Sequence, residues 1–156
     1  MLTKHQEGFS LIELLIVVTI IGIVASIAVP NLLASRRAAN EASAQSSMRT
    51  ISSCEATYQY TYGNGFYTDL STLGTKTLTD SVLSTGQKSG YTFVFNPVAG
   101  PPAQYWGYGI PTVTSGIGQT GTRRFATSED GVLRGDLTLT APADEAAVRA
   151  ISPMGN

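Results

Sequence analysis

Residues 8–30 read GFSLIELLIVVTIIGIVASIAVP, and this stretch decides how the rest of the chain can fold. No charged side chain occurs from Leu14 to Ser35, which is long enough for a helix to cross a bilayer, since crossing takes roughly 20 residues. A helix buried inside a water-soluble protein is rarely apolar on every side. The stretch therefore predicts a membrane-resident helix, and it raises the question of why Glu13 interrupts it.

Two kinds of membrane segment fit a run of this sort, a removable secretory signal and a permanent anchor. A secretory signal has a basic start and a small-residue cleavage site after a short apolar core. Here the start, MLTKHQEG, contains one basic residue, Lys4, and one acidic residue, Glu7, so it is not strongly basic. The region after the run, IAVPNLLASRR, contains no clear cleavage site of that type. The pattern therefore favours a permanent anchor.

The residues GFSLIELLIVV, at positions 8–18, resemble the N-terminal signature of type IV pilins and type II secretion pseudopilins. The resemblance implies that a prepilin peptidase removes residues 1–8 as a leader, cutting between Gly8 and Phe9 on the cytoplasmic face, and that Phe9 is then N-methylated. It also implies an assembly role for Glu13, whose carboxylate would meet the N-terminal amine of a neighbouring subunit. Gly22 and Pro30 stand where the family places helix-weakening residues.

The resemblance further implies a pilin-like α+β fold, with residues 9–35 as the transmembrane and assembly helix and residues 36–156 as a globular head. The sequence itself predicts that the helix continues to about Tyr62 and that one face of residues 36–62 is apolar. Residues 63–89 are expected to form a loop, and residues 90–140 an antiparallel sheet of three to four strands. The Ala- and Pro-rich tail from Thr140 is expected to be loosely held. The predicted helical stripe consists of Ala44, Met48, Ile51, Cys54 or Glu55, Tyr58 and Tyr62.

The composition gives little support to catalysis. The chain has one histidine, His5, which lies inside the expected leader, so a processed chain could not form a Ser-His-Asp triad. Gly116, Gly118 and Gly121 have dinucleotide-site spacing, but a strand-like segment follows them where such a site needs a helix. We expect a loop there and no enzyme activity.

No cofactor is expected from the sequence, although the pseudopilin resemblance makes calcium worth considering. The acidic candidates are scattered and match no fixed calcium-loop pattern. They are Asp130, Asp136, Asp144 and Glu145. The net charge of −1 likewise gives no reason to expect a nucleic-acid partner.

The resemblance implies a structural subunit of a type IV pilus, assembled from the inner membrane through the N-terminal helix. Its partners would be copies of itself and other pilins, the prepilin peptidase and methyltransferase, and an inner-membrane assembly platform. The alternative is a type II secretion pseudopilin, which would form a short periplasmic fibre for protein export. A membrane-anchored enzyme or solute-binding protein is a third interpretation, which the absent catalytic groups disfavour.

Overall fold

A computed structural model of the chain describes residues 8–155. It divides into two compact units, one ending at Ser35 and the other beginning at Arg36. The longest element is helix α1, Leu11–Thr61, which the sequence predicts as one continuous helix. The helix passes through both Gly22 and Pro30, although Pro30 cannot donate a backbone hydrogen bond to the preceding turn.

The first unit is the apolar part of α1. Its residues are exposed along their length, from Leu11 at 81% to Leu32 at 68%. At 1.5 Å per residue, residues 11–35 extend roughly 37 Å, more than the roughly 30 Å of a bilayer core. By length and composition this helix can therefore cross a membrane.

In the second unit, α1 presents one apolar face to the core, as the spacing of its residues predicts. Ala44, Met48 and Ile51 are fully buried, and both Cys54 and Glu55 follow them into the interior. The predicted stripe is wrong at its end, because Tyr62 is half exposed. The reason is that α1 ends at Thr61, and the chain turns away.

The sheet is antiparallel throughout, as expected, but it has five strands rather than three or four. Their order is β1-β2-β3-β4-β5. The bounds are β1 Gln87–Lys88, β2 Tyr91–Val98, β3 Gln104–Pro111, β4 Arg124–Ser128 and β5 Arg134–Asp136.

The additional strand is β1, which is only two residues long. It joins β2 through Ser89 and Gly90, whose φ angles of 50° and 72° are both positive. This is the geometry of the tight type I′ hairpin. Two residues are too few to show the alternation by which the other strands can be recognised.

One face of the sheet covers the apolar face of α1. Tyr91, Phe93 and Phe95 alternate inward along β2 and pack with Met48 and Ile51 in one core. Short elements within the expected loop of residues 63–89 close the same core through Leu70, Leu73 and Leu83. These elements are α2, Leu70–Thr75, and a 3-10 helix, Leu83–Thr85.

The other face of the sheet is covered by the C-terminal tail, so the expectation of a loose tail is wrong. Helix α3 spans Glu145–Arg149 and is capped by Asp144, whose Oδ1 accepts a hydrogen bond from Ala147 N at 2.7 Å. Val148 and Ile151 are buried against Ala126, with Trp106 and Tyr108 beside them. Apolar residues at every third position pack this tail against the head, although the tail is rich in Ala and Pro.

Candidate assembly site

The candidate site begins at the first turn of α1, where Ser10 and Glu13 cap the helix. Ser10 Oγ accepts from Ile12 N at 3.3 Å, and Glu13 Oε2 accepts from Ser10 N at 2.9 Å. This is a variant of the capping box, in which Glu13 bonds back to Ser10 N as usual while the Ser10 hydroxyl accepts from Ile12 N rather than from Glu13 N. The sequence S-L-I-E at positions 10–13 has the Ser and Glu spacing of this motif.

The capping box uses only one oxygen of Glu13. Among the hydrogen bonds of residues 8–155, Oε2 is the Glu13 atom that takes part. Oε1 is therefore available to accept from a second donor. Because α1 carries a partial positive charge at its N-terminus, a carboxylate in this first turn is also favourably placed.

The expected cleavage point lies just before the helix. Gly8 and Phe9 precede α1 without regular structure, and Phe9 is 84% exposed. A peptidase needs an accessible, extended bond, and this one is free of the hydrogen-bond ladder of the helix. The rest of the expected leader, residues 1–7 with His5, lies outside the described residues.

Polar side chains inside the apolar helix bond to its own backbone. Thr19 Oγ1 donates to Leu15 O at 2.7 Å, and Ser26 Oγ donates to Ile23 O at 2.7 Å. Hydroxyls bonded in this way need no water, which makes the segment easier to place in lipid. Glu13 is thus the one side chain between Phe9 and Ser35 that carries charge.

The acidic residues considered for calcium do not come together. Asp130 pairs with Arg134 at 2.6 Å, which lowers the pKa of that carboxyl to about 2, and Asp136 pairs with Arg124 at 2.8 Å. The other two serve α3: Asp144 caps the helix, and Glu145 pairs with Arg149. Within residues 8–155, no three His, Cys, Asp or Glu residues gather as metal ligands would.

Two polar residues of α1 form hydrogen bonds with the loop that connects β3 to β4. The sequence does not predict this contact. Asn40 Nδ2 donates to Thr120 O at 2.9 Å, and Glu41 Oε1 accepts from both the backbone N–H and the hydroxyl of Thr122. The loop contains Gly116, Gly118 and Gly121, and strand β4 follows it, so the expected loop is confirmed. A polar residue next to an apolar stripe gives no sequence signal of such a contact.

Cys54 lies in the core, as expected of a structural thiol. Its Sγ donates to Leu78 O at 2.8 Å, and burial raises the pKa of the thiol. Since the thiolate is the reactive form, this environment makes the residue inert.

Comparison with known proteins adds independent support at the N-terminus. The model of the prokaryotic N-terminal methylation motif matches residues 3–29. The type IV wide pilus major component PilA4 of Thermus thermophilus is 55% identical over 38 residues, which are 24% of this chain and 29% of that protein. No solved structure is significantly similar to the chain.

These matches cover the segment that carries Gly8, Phe9 and Glu13, and the chain matches less than a third of the length of its pilin relative. The apolar helix in this segment is consistent with membrane anchoring of a pilin before assembly. The N-terminal segment therefore carries the prokaryotic N-terminal methylation motif and is similar to part of a type IV pilus component.

Proposed function

We propose that this chain is a structural subunit of a type IV pilus fibre, stored in the inner membrane and assembled through α1. The observation that carries the proposal is the first turn of α1. There a single carboxylate, Glu13, heads a long exposed apolar helix, four residues after the expected new N-terminus at Phe9. The similarity to PilA4, a major component of the type IV wide pilus of Thermus thermophilus, supports the same function.

The proposed assembly step depends on cleavage between Gly8 and Phe9. Cutting this bond creates a positive amine at Phe9, where the uncut chain has a neutral peptide group. A carboxylate costs roughly 2.5–3.5 kcal/mol at the centre of a bilayer on insertion scales, and less near an interface, where the first turn of α1 is expected to lie. Pairing Glu13 with the amine of a neighbouring copy offsets this cost, and it fixes the axial position of the incoming subunit.

Prepilin peptidase, the methyltransferase and an inner-membrane platform complete the proposed pathway as partners. The peptidase would act on the exposed bond before α1, and the platform would extract the helix from lipid. In the fibre, the apolar faces of α1 would pack against copies of the same helix, which replaces lipid contacts by protein contacts.

Gly22 and Pro30 have a proposed part in this packing. Glycine weakens a helix by about 1 kcal/mol relative to alanine, and proline removes a backbone donor. Residues 22–30 are therefore the part of the apolar helix that can unwind at least cost. Unwinding there would let subunits adjust their packing in the fibre.

A pseudopilin of a type II secretion system is the second candidate, because the N-terminal methylation motif serves both kinds of subunit. The two functions differ in where the mature chain accumulates. A pilin is expected in fibres on the cell surface, and a pseudopilin in a short periplasmic fibre.

The distinguishing experiment shears cells and measures this chain in the sheared fibres and in the cell envelope. We expect the chain to be a dominant protein of the sheared fraction, and deletion of its gene to remove those fibres. If the chain is found only in the cell envelope and deletion of its gene abolishes secretion of folded proteins, the pilin proposal is wrong and the pseudopilin function is supported.

A further inference from the structure

Glu55 is a carboxyl group inside the head that neither the helix cap nor the assembly site explains. The residue is 0% exposed and lies on the buried face of α1. Its Oε2 accepts one hydrogen bond, from Thr68 N at 3.1 Å, and Oε1 has no hydrogen-bond partner within residues 8–155. No ion pair among the described residues includes it.

Among the described residues, the ionisable groups that interact electrostatically with Glu55 are all acidic. They are Cys54, its neighbour on α1, Tyr67 and Asp69 in the loop that follows α1, and Tyr105 on β3. Glu129, which directly follows β4, interacts electrostatically with Tyr67 and Tyr105 and is itself acidic. Burial, reinforced by Asp69, raises the pKa of Glu55 to about 7, although the Thr68 hydrogen bond acts in the opposite direction.

The Thr68 hydrogen bond connects α1 to residues 62–69, here called the aromatic loop. The near end of this loop is fastened to α1 by Gly63 N donating to Tyr58 O at 2.8 Å and by Gln59 Nε2 donating to Gly65 O at 3.1 Å. Its far end leads into α2 through the Asp69 cap. Between the two ends, Glu55 supplies a hydrogen bond from the core.

We propose that Glu55 is a proton-operated latch, which holds the aromatic loop on α1 while its carboxyl is neutral and loosens the loop when the carboxyl ionises. A neutral carboxyl accepts from Thr68 N and leaves one O–H group without a partner, which costs less than burying an unpaired full charge. An ionised carboxyl places a full charge in an interior with no cation to meet it, and opening the loop gives that charge access to water. The inference concerns the head alone and does not depend on whether the chain forms a pilus or a pseudopilus.

The sign of the pH dependence follows from the two states of the loop. The closed state keeps the proton up to about pH 7, whereas an open, hydrated Glu has its ordinary pKa near 4.5. The stabilisation of the closed loop by the neutral carboxyl is fully present below pH 4.5 and is lost as the pH rises through about 7. Between these values opening releases one proton, so the opening constant rises about tenfold per pH unit and then levels off.

The test is amide hydrogen exchange of residues 62–69 in the full chain, purified in detergent micelles and corrected for intrinsic exchange at each pH. We expect protection of the aromatic loop to fall about tenfold per pH unit between pH 4.5 and 7, with a plateau above. Glu55→Gln, which keeps the shape and the hydrogen bond of the neutral form, should show strong protection at every pH. Glu41→Gln, a substitution of another hydrogen-bonded glutamate of α1, is the matched control and should keep the wild-type step.

Two outcomes would overturn the latch. One is a wild-type loop whose corrected exchange does not change over this range, and the other is a step that survives in Glu55→Gln. If Glu55→Gln fails to fold, infrared spectra of the wild-type chain decide. A neutral carboxylic acid must be present at about pH 6 and absent at about pH 8, because ordinary carboxyls are ionised at both. Absence of that group at about pH 6 refutes the proposal.

Discussion

Glu13 combines two tasks in one side chain, and they can be separated chemically. Its Oε2 closes the capping box with Ser10, which stabilises the start of α1 in a single copy. Its charge is what the proposed contact with the Phe9 amine of a neighbour needs. Glutamine serves as well as glutamate at the capping position but carries no charge.

We predict that Glu13→Gln inserts into the membrane and is cleaved as the wild type is, yet gives few fibres. Loss of the charge leaves the Phe9 amine of the neighbour without its partner, and breaking a buried pair typically costs 3–5 kcal/mol. The measurement is the yield of sheared fibre per amount of processed chain in the membrane.

Glu13→Ala, which loses both the cap and the charge, is the comparison. If Glu13→Gln gave wild-type fibre yields and only Glu13→Ala failed, the cap and not the charge would account for Glu13. The proposed pairing with the Phe9 amine would then be wrong.

At the scale of the strand, two glycines of β3 make room for the aromatic core. Gly109 lies opposite Phe93 and Gly107 opposite Phe95 in the β2–β3 register. A Cβ added at Gly107 would stand 2.6 Å from the Phe95 ring, and one at Gly109 would stand 2.9 Å from the Phe93 ring. The rings therefore lie across the glycines, which lets α1 and its Met48 approach the sheet.

We predict that Gly107→Ala and Gly109→Ala each lower the free energy of unfolding by about 1–3 kcal/mol, because the added methyl overfills the core. Gly118→Ala is the matched control, since a Cβ there meets nothing within 4 Å. The measurement is the denaturant midpoint of the full chain in detergent. An equal midpoint for all three variants would contradict the packing described for β3.

The sequence predicts a helix or strand where its apolar residues repeat with a regular spacing over several residues. The alternation of Tyr91, Phe93 and Phe95 is typical of a strand and coincides with β2, and Asp130-Gly131, a dipeptide typical of hairpin turns, lies between β4 and β5. Strand β1 was missed because its two residues carry no period. The predicted end of α1 near Tyr62 agrees with the observed end at Thr61, where the Tyr58 carbonyl accepts from Gly63 N.

At the scale of the whole head, the sheet is covered on both faces. α1 covers one face, and the tail from Thr140 covers the other through Val148 and Ile151. The composition predicts a loose tail, but two local features of the sequence oppose this, namely the Asp144 cap and the apolar spacing. A third feature, the hydrogen bond from Met154 N to Leu133 O at 2.9 Å, depends on the fold.

We predict that Ile151→Ala lowers the free energy of unfolding of the chain by about 2–5 kcal/mol, since it removes a buried side chain beside Ala126 and Val148. Leu137→Ala, at a position that is 71% exposed, is the control and should change it by less than about 0.5 kcal/mol. Thermal unfolding of both variants in the same detergent provides the measurement. A stable Ile151→Ala variant would mean that the tail adds little to the head.

The candidate site shows a similar limit of sequence reasoning. Gly8, Phe9 and Glu13 could be found because their order resembles a processing signature, and the motif match at residues 3–29 agrees with it. The spacing leaves Cys54 and Glu55 as alternatives for one position of the apolar stripe, and the structure buries both, so the sequence does not predict a buried acidic side chain at Glu55. Only the packing of the aromatic loop over α1 shows which face it occupies.

The central claim is that this chain is cut before Phe9 and enters a fibre through the new amine. The most direct test is mass spectrometry of the N-terminal peptide in sheared fibres. The account predicts an abundant peptide that begins at N-methylated Phe9. If the chain in those fibres yielded only N-terminal peptides that extend into residues 1–8, the cleavage and the proposed role of Glu13 would both be contradicted.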